Sequence, residues 1–306
     1  MRCLNKISRA YGRRVMEQQK SLEPVQDFME KMAYQRVKKA LSENGYIDTS
    51  GYRDEYLRRR FEVRLRATGA ETYAKYLAYL KKNPDEMRRL QNDLTINFTS
   101  FFRDGDVYQY LERRLLPKIL LSPNPVRIWS AGCASGEESY SLAIIIYKLL
   151  QQAPSKLQVT IFASDIDREA LSIAKNGVYN ERQISTVDKL TLEKCFTKEE
   201  NHYIVKDFLK RLVCFEHSDL MAPPKHQSLD LILCRNVMIY FSKEGQQHVH
   251  MSFYRALREN GYFITGKSEI LSSEIAKRFS VVDFQSRVYQ KEKTAEPGKP
   301  LIQNRA

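Results

Sequence analysis

Glu137 and Glu138 stand side by side at the mouth of a glycine turn, in the stretch Trp129-Ser-Ala-Gly-Cys-Ala-Ser-Gly-Glu-Glu138. The apolar run before the turn reads as a buried strand, and YSLAIIIYKLL after it reads as an amphipathic helix. A strand, a turn of small residues and a helix form the arrangement on which α/β proteins hold phosphate with backbone N–H groups. A phosphate loop would place Lys and Ser/Thr here, and Gly132 and Gly136 do not make GxGxxG. A pyrophosphate beside Glu137 would meet like charge. A carboxylate facing an ammonium group instead makes a charge-assisted hydrogen bond worth about 1.5–3 kcal/mol. The competing reading is that both glutamates only complement the helix dipole, at ~0.3–1 kcal/mol each.

Two further apolar runs end in polar residues. VTIF runs into Ser164-Asp165-Ile166-Asp167, and LDLILC runs into Arg235-Asn236-Val237. In an open parallel sheet, ligands bind at the carboxyl ends of the strands, and an acid closing the second strand is placed to accept from ribose hydroxyls. NAD and S-adenosylmethionine (AdoMet) both satisfy that acid. AdoMet lacks phosphate and carries an ammonium and a sulfonium, so Glu137 together with Asp165 favours it.

The elements that must position these residues follow from periodicity. From about Glu23 to Leu120, apolar residues recur three or four apart in segments broken by Gly, Pro or Asn, which predicts a small helical domain and a longer helix over DGDVYQYLERRLLPKIL. Beyond Pro125, strands alternate with helices, which predicts βαβ units on a mostly parallel sheet. The stretch from about 180 to 212 breaks that rhythm, contains the short strand-like HYIV, and reads as an inserted subdomain. The expected division is a flexible leader (1–20), a helical domain (21–95), a linker segment and helix (96–125), the α/β domain (126–292) and a disordered tail (293–306).

The totals narrow the classes. Five scattered cysteines without a CxxC pair argue against a disulfide framework or a zinc site, and suit a reducing cytoplasm. His248-x-His250 falls on a predicted helix, where residues two apart face different directions, so no metal is expected. No run is long and apolar enough to span a membrane, and the basic N-terminus lacks the apolar core of a secretory signal. A formal charge of +13 points to an anionic partner: nucleic acid, membrane surface or acidic protein.

Four blocks then carry a resemblance. Asn97-Phe-Thr-Ser-Phe-Phe-Arg103 resembles an NxTxFFR signature, joined in order by SAGCASGEE (130–138), ASDID (163–167) and CRNVMIYF (234–241). Together, over about 25–292, they are similar to the chemoreceptor glutamate methyltransferases, the CheR family. The resemblance implies a Rossmann-like AdoMet-dependent α/β domain with a small antiparallel insert, behind a small all-helical N-terminal domain. It implies that Asn97, Thr99 and Arg103 reach the cofactor from the linker, that Glu137 binds the ammonium and Asp165 the ribose, and that Asp219, Leu220, Asn236 and Val237 flank the adenine and the methionine end. Both glutamates belong to the motif, so Glu138 stays open as the ammonium partner. Ser139 stands where the family commonly has Pro, a change that the first turn of a helix tolerates.

The implied reaction moves the AdoMet methyl to a glutamate carboxylate, leaving S-adenosylhomocysteine and a methyl ester. The acceptor is already ionised at pH 7, so no general base is required. Arg103 and Tyr240 are the residues expected to orient it; the competing reading makes Tyr240 a core aromatic in a strand. Phe98, Phe101 and Phe102 are expected to pack the linker. In YRDEYLRRRFEVRLR, Arg53, Arg60 and Arg64 cluster on one flank of a predicted helix, and the resemblance supplies the acidic methylation helices of chemoreceptors as their partner. A cytoplasmic monomer is expected, without nucleic acid or membrane insertion. A nucleic-acid methyltransferase is the nearest rival, and a non-catalytic AdoMet-binding signalling module the other.

Overall fold

The computed structural model describes residues 26–44, 47–152 and 157–292; the expected leader and tail lie outside the described residues. The chain divides into two compact units, Met1–Ser50 with Asp54–Leu94, and Gly51–Arg53 with Thr95–Ala306.

The described part of the first unit is helical. Helix α1 (26–43) buries Ala33, Tyr34, Val37 and Leu41, and α2 (Asp54–Thr68) buries Tyr56, Leu57, Phe61 and Leu65, both at helical spacing. Between them lies a short 3-10 turn, Thr49–Gly51. The Tyr34 and Phe61 rings meet at 5.6 Å. Helix α3 (Tyr73–Lys82) is opened by Thr72, whose side chain accepts from the Lys75 N–H. Helix α4 (Pro84–Leu94) begins on a proline, where the missing N–H has no helical partner to lose.

The second unit opens with α5 (Gly105–Tyr110), a π turn (Leu111–Leu115) and α6 (Leu116–Ile119) in one continuous helical run. Pro117 supplies no N–H to the turn before it, and the Leu116 N–H instead reaches the Leu111 carbonyl. The alternating region follows: β1 (Val126–Ala131), α7 (Glu137–Gln152), β2 (Val159–Asp165) and α8 (Arg168–Asn176). Then come β3 (Val178–Asn180), α9 (Lys189–Cys195), β4 (Phe196–Glu199), β5 (His202–Val205) and α10 (Asp207–Lys210). The unit closes with β6 (Val213–His217), β7 (Leu229–Cys234), a 3-10 turn (Met238–Tyr240), α11 (Lys243–Ala256), β8 (Leu257–Thr265), α12 (Ser273–Ala276), β9 (Phe279–Asp283) and β10 (Val288–Lys291).

Seven strands make the main sheet in the order β6-β2-β1-β7-β8-β10-β9. The β6-β2-β1-β7-β8 portion is parallel, and β10 and β9 add antiparallel to it. This is the α/β, Rossmann-like class expected from the sequence. Ile128, Ile161 and Leu231 pack with α7 on one face, while Trp129, Ile232 and Phe263 pack with α11 on the other. All six residues of β7 are buried, as a strand covered on both faces must be. The strand following β1 in sequence lies on one side of it and β7 lies on the other, so the order reverses at β1 and opens a crevice at its carboxyl end. The insert is a three-stranded antiparallel sheet, β3-β5-β4, beginning at Val178 immediately after the left-handed Gly177 that ends α8.

Candidate active site at the carboxyl ends of the strands

The turn between β1 and α7 passes through Gly132 (φ +78°), Ala134 (φ +46°) and Gly136 (φ +95°). At Gly132 the close approach is as demanding as the dihedral: a Cβ there would lie 2.5 Å from Val237 Cγ2. The glycine thereby brings the first turn against the loop that follows β7.

The two glutamates have different partners. Glu138 accepts from Ser130 Oγ (2.9 Å) and pairs with the buried Arg235 guanidinium (3.5 Å). Glu137, 1% exposed, has neutral partners, Ser135 Oγ at 2.7 Å and Gln183 Nε2 at 3.1 Å. Among the described residues no cation pairs with Glu137. Burial pushes both carboxyls above the usual range, opposed at Glu137 by its two hydrogen bonds and at Glu138 chiefly by Arg235.

Asp165 ends β2 and holds the same turn. Its Oδ2 accepts from the Ala134 N–H at 2.8 Å and its Oδ1 from the Asp167 N–H at 2.9 Å. Burial raises its carboxyl, with these backbone N–H groups opposing. Each oxygen retains a lone pair for a further donor. The Ser218 N–H donates to the Asp165 carbonyl at 3.0 Å, which sets Asp219 and Leu220 beside this strand end. Asp219 accepts from the Met221 N–H, and Leu220, like Val237 and Tyr240, packs half-buried against the core cluster on the α11 face of the sheet.

From the linker, Asn97 Nδ2 and Thr95 Oγ1 both donate to Asp167 Oδ2 at 2.6 Å, while Asp167 Oδ1 caps α8. Thr99 is half-buried. Arg103 follows Phe102 (φ +50°) and precedes Asp104 (φ +59°). Its guanidinium donates to the Phe98 carbonyl at 2.8 Å and lies 5.6 Å from the centre of the Phe98 ring. Among the described residues no carboxylate pairs with Arg103. Arg235 fixes this corner, donating to the Arg103 carbonyl (2.9 Å) and to Asp104 Oδ2 (2.6 Å).

Asn236 is left-handed (φ +61°), and its N–H donates to Glu269 Oε2 at 2.9 Å. The same oxygen accepts from the Gly266 N–H at 2.7 Å. Glu269 is buried and its carboxyl is raised by burial. Buried Glu137 and Glu269 and half-buried Glu138 and Asp165 thus gather carboxylates around the crevice, and among the described residues the buried cation paired with them is Arg235. A surplus of desolvated anions suits a ligand carrying positive charge.

Several expectations need correction. Strand β7 stops at Cys234, so Tyr240 lies in the following 3-10 turn, half-buried, and not in a strand core. Phe101 is fully buried, but Phe98 is 71% exposed and does not pack the linker. Arg53 precedes α2, and its Nε donates to the Phe241 carbonyl at 3.0 Å. Arg64 is committed to Glu86 (2.9 and 2.8 Å) and Asp93 (3.1 Å). Of that trio Arg53 is exposed and Arg60 is half-buried, 5.5 Å from the Tyr56 ring centre; the exposed arginines of α2 itself are Arg59 and Arg66. Asp167, Gln183, Arg235 and Glu269 were not singled out as site residues from sequence. Arg235 and Asp167 sit inside the motif blocks, whereas Gln183 carries no local signal at all.

Among the described residues no cluster of His, Cys, Asp and Glu could hold a metal ion, and no helix is long and apolar enough to cross a membrane. Residues 97–288 match the family description "CheR methyltransferase, SAM binding domain", and residues 32–95 match "CheR methyltransferase, all-alpha domain". The chain is 31% identical over 246 residues to a chemotaxis protein methyltransferase of Borreliella burgdorferi, covering 77% of this chain and 87% of that protein. It is 30% identical over 258 residues to the chemotaxis protein methyltransferase of Escherichia coli, covering 81% and 87%. A 104.1 kDa uncharacterized protein of Rhodobacter capsulatus is 29% identical over 89% of this chain, which spans 28% of that protein's length. With both of its domains matched, the chain belongs to the CheR family of AdoMet-dependent methyltransferases.

Proposed function

We propose that this methyltransferase acts in the cytoplasm as a monomer and esterifies glutamate side chains on the acidic methylation helices of chemoreceptors. The observation that carries the acceptor class is Arg103. It is a half-buried guanidinium at the linker that pairs with no protein carboxylate among the described residues, and it offers bidentate donors to a carboxylate brought from outside. The names of the relatives favour a chemoreceptor as the source of that carboxylate.

The residues present fit AdoMet: a desolvated carboxylate with neutral partners, an acid at the end of β2, and a glycine turn that Val237 packs against directly. Glu137 would hold the ammonium, Asp165 the ribose hydroxyls, and Asp219, Leu220, Asn236 and Val237 the adenine and methionine ends. Asn97 and Thr99 would close the crevice from the linker. Bound there, AdoMet supplies an electrophilic methyl on a positively charged sulfur. Arg103 and Tyr240 would orient an acceptor carboxylate, so that one of its oxygens forms the bond to carbon as the carbon–sulfur bond breaks with its electron pair left on sulfur. No proton is transferred, and catalysis rests on alignment. Arg59 and Arg66, with Arg60 beside them, would meet the acidic receptor helix by electrostatic attraction.

The test is incubation with radiolabelled AdoMet and membranes that contain chemoreceptors. Alkali-labile label on receptor, absent when the acceptor glutamates are replaced by glutamine, is the expected result. Label on nucleic acid, or tight AdoMet binding without any transfer, would overturn the proposal.

A further inference from the structure

The insert is wired into the cofactor turn through Gln183. The side-chain amide of Gln183 is oriented at both ends. Its Oε1 accepts from the Asn180 N–H at 3.1 Å, which leaves Nε2 to donate to Glu137 Oε1 at 3.1 Å. The Gln183 N–H in turn donates to Asn180 Oδ1 at 3.1 Å, so the turn that carries it is closed on itself. Two neighbours brace the same region. The buried Tyr179 hydroxyl donates to the Ser135 carbonyl at 2.7 Å, and Thr186 Oγ1 donates to the Phe101 carbonyl at 2.6 Å. Ile184 and Val187 anchor the turn in the core.

We propose that Gln183 is a positioning residue for the ammonium site, holding the Glu137 carboxylate in the orientation that receives the cofactor. This rests on the reading of Glu137 as the ammonium partner. The groups facing Glu137 are Ser135 and Cys133 from the turn and Tyr179 and Gln183 from the insert, while the adjoining Glu138 turns to Ser130 and Arg235. Burial raises the Cys133 thiol and the Tyr179 hydroxyl, so both stay neutral, and no cation is among these groups. Ser135 and Gln183 therefore supply the donors that favour the anion against burial. Losing the Gln183 donor should leave the Glu137 carboxyl easier to protonate. AdoMet affinity would then begin to fall at a higher pH as the solution is acidified.

The experiment is AdoMet Kd by calorimetry from about pH 5 to 7.5, on wild type and on Q183M, Q183E and E137Q, with a thermal melt of each to establish folding. Q183E keeps the acceptor for the Asn180 N–H and replaces the amide donor with a second carboxylate, so it reports even if Q183M loosens the turn. Expected are Kd values raised about tenfold at pH 7.5. The acid limb should also move upward by about one pH unit, further in Q183E, where two adjoining carboxylates cannot both ionise. If E137Q binds weakly while Q183E and Q183M keep the wild-type Kd and acid limb, Gln183 does not position Glu137. If E137Q binds as wild type does, the ammonium assignment falls, and this proposal with it.

Discussion

Gly132 shows how one residue can serve geometry and chemistry together. Its φ of +78° lies in the region that penalises a Cβ, and that Cβ would press on Val237 at 2.5 Å. Left-handed strain costs ~1–3 kcal/mol, and the overlap must be relieved by moving Val237 or the turn. G132A is expected to lower the melting temperature by several degrees and to raise the AdoMet Kd at least tenfold, read by calorimetry on the same preparation. An unchanged Kd would mean that the turn and Val237 do not frame the cofactor. This glycine was legible from sequence, because strand, turn and helix are adjacent in the chain. The different partners of Glu137 and Glu138 were not, since Glu138 is held by Arg235, 97 positions beyond it. Gln183 escaped for the same reason: its partner lies 46 positions away.

At the scale of elements, the periodicity of α2 gave its buried face correctly, with Leu57, Phe61 and Leu65 inside. It said nothing about which arginines on the flank already had partners. Arg64 holds α2 to α4 through Glu86, whose side chain is 2% exposed, and Tyr76 donates to the same carboxylate at 3.0 Å. Removing one partner of a buried pair typically costs ~3–5 kcal/mol, because the other charge remains desolvated. R64E is therefore expected to destabilise the helical unit by about that much in chemical denaturation. Slow receptor methylation by R64E would not report docking. Charge reversal at the exposed Arg59 and Arg66 is the cleaner probe. It should slow receptor methylation several-fold, most at low salt, and leave AdoMet affinity unchanged. Equal loss of cofactor binding would remove α2 from the docking surface. The order of strands and helices was legible because each element is amphipathic or apolar on its own. The end of β7 was not, because the apolar residues of LDLILCRNVMIYF continue past Cys234, while Arg235 and the left-handed Asn236 turn the backbone out of the sheet.

For the molecule as a whole, the buried ionisable groups pull in opposite directions as pH changes. Glu137, Glu138, Asp165 and Glu269 are raised by burial. A raised carboxyl weakens the folded state as pH rises past its unfolded value, so these acids oppose stability at neutral pH. A cationic ligand would offset that cost. His250 acts the other way. It is 1% exposed, lies 5.7 Å from the Phe263 ring, and is lowered by burial to about 4 from 6.5. Its neutral form supports the fold above about pH 6.5. That support is lost as pH falls toward 4, because the unfolded chain takes up the proton first. At 1.36 kcal/mol per pH unit, the loss between pH 6.5 and 5 is about 2 kcal/mol. The acids confuse this slope in wild type, but they are present equally in H250L. The difference in unfolding free energy between the two proteins, measured in urea at pH 7.5 and again at pH 5, isolates the histidine. H250L should gain about 2 kcal/mol relative to wild type on going to pH 5, whatever its cost at pH 7.5. A difference that does not change with pH would mean that His250 can be protonated in place, and that acid loss of the fold begins elsewhere.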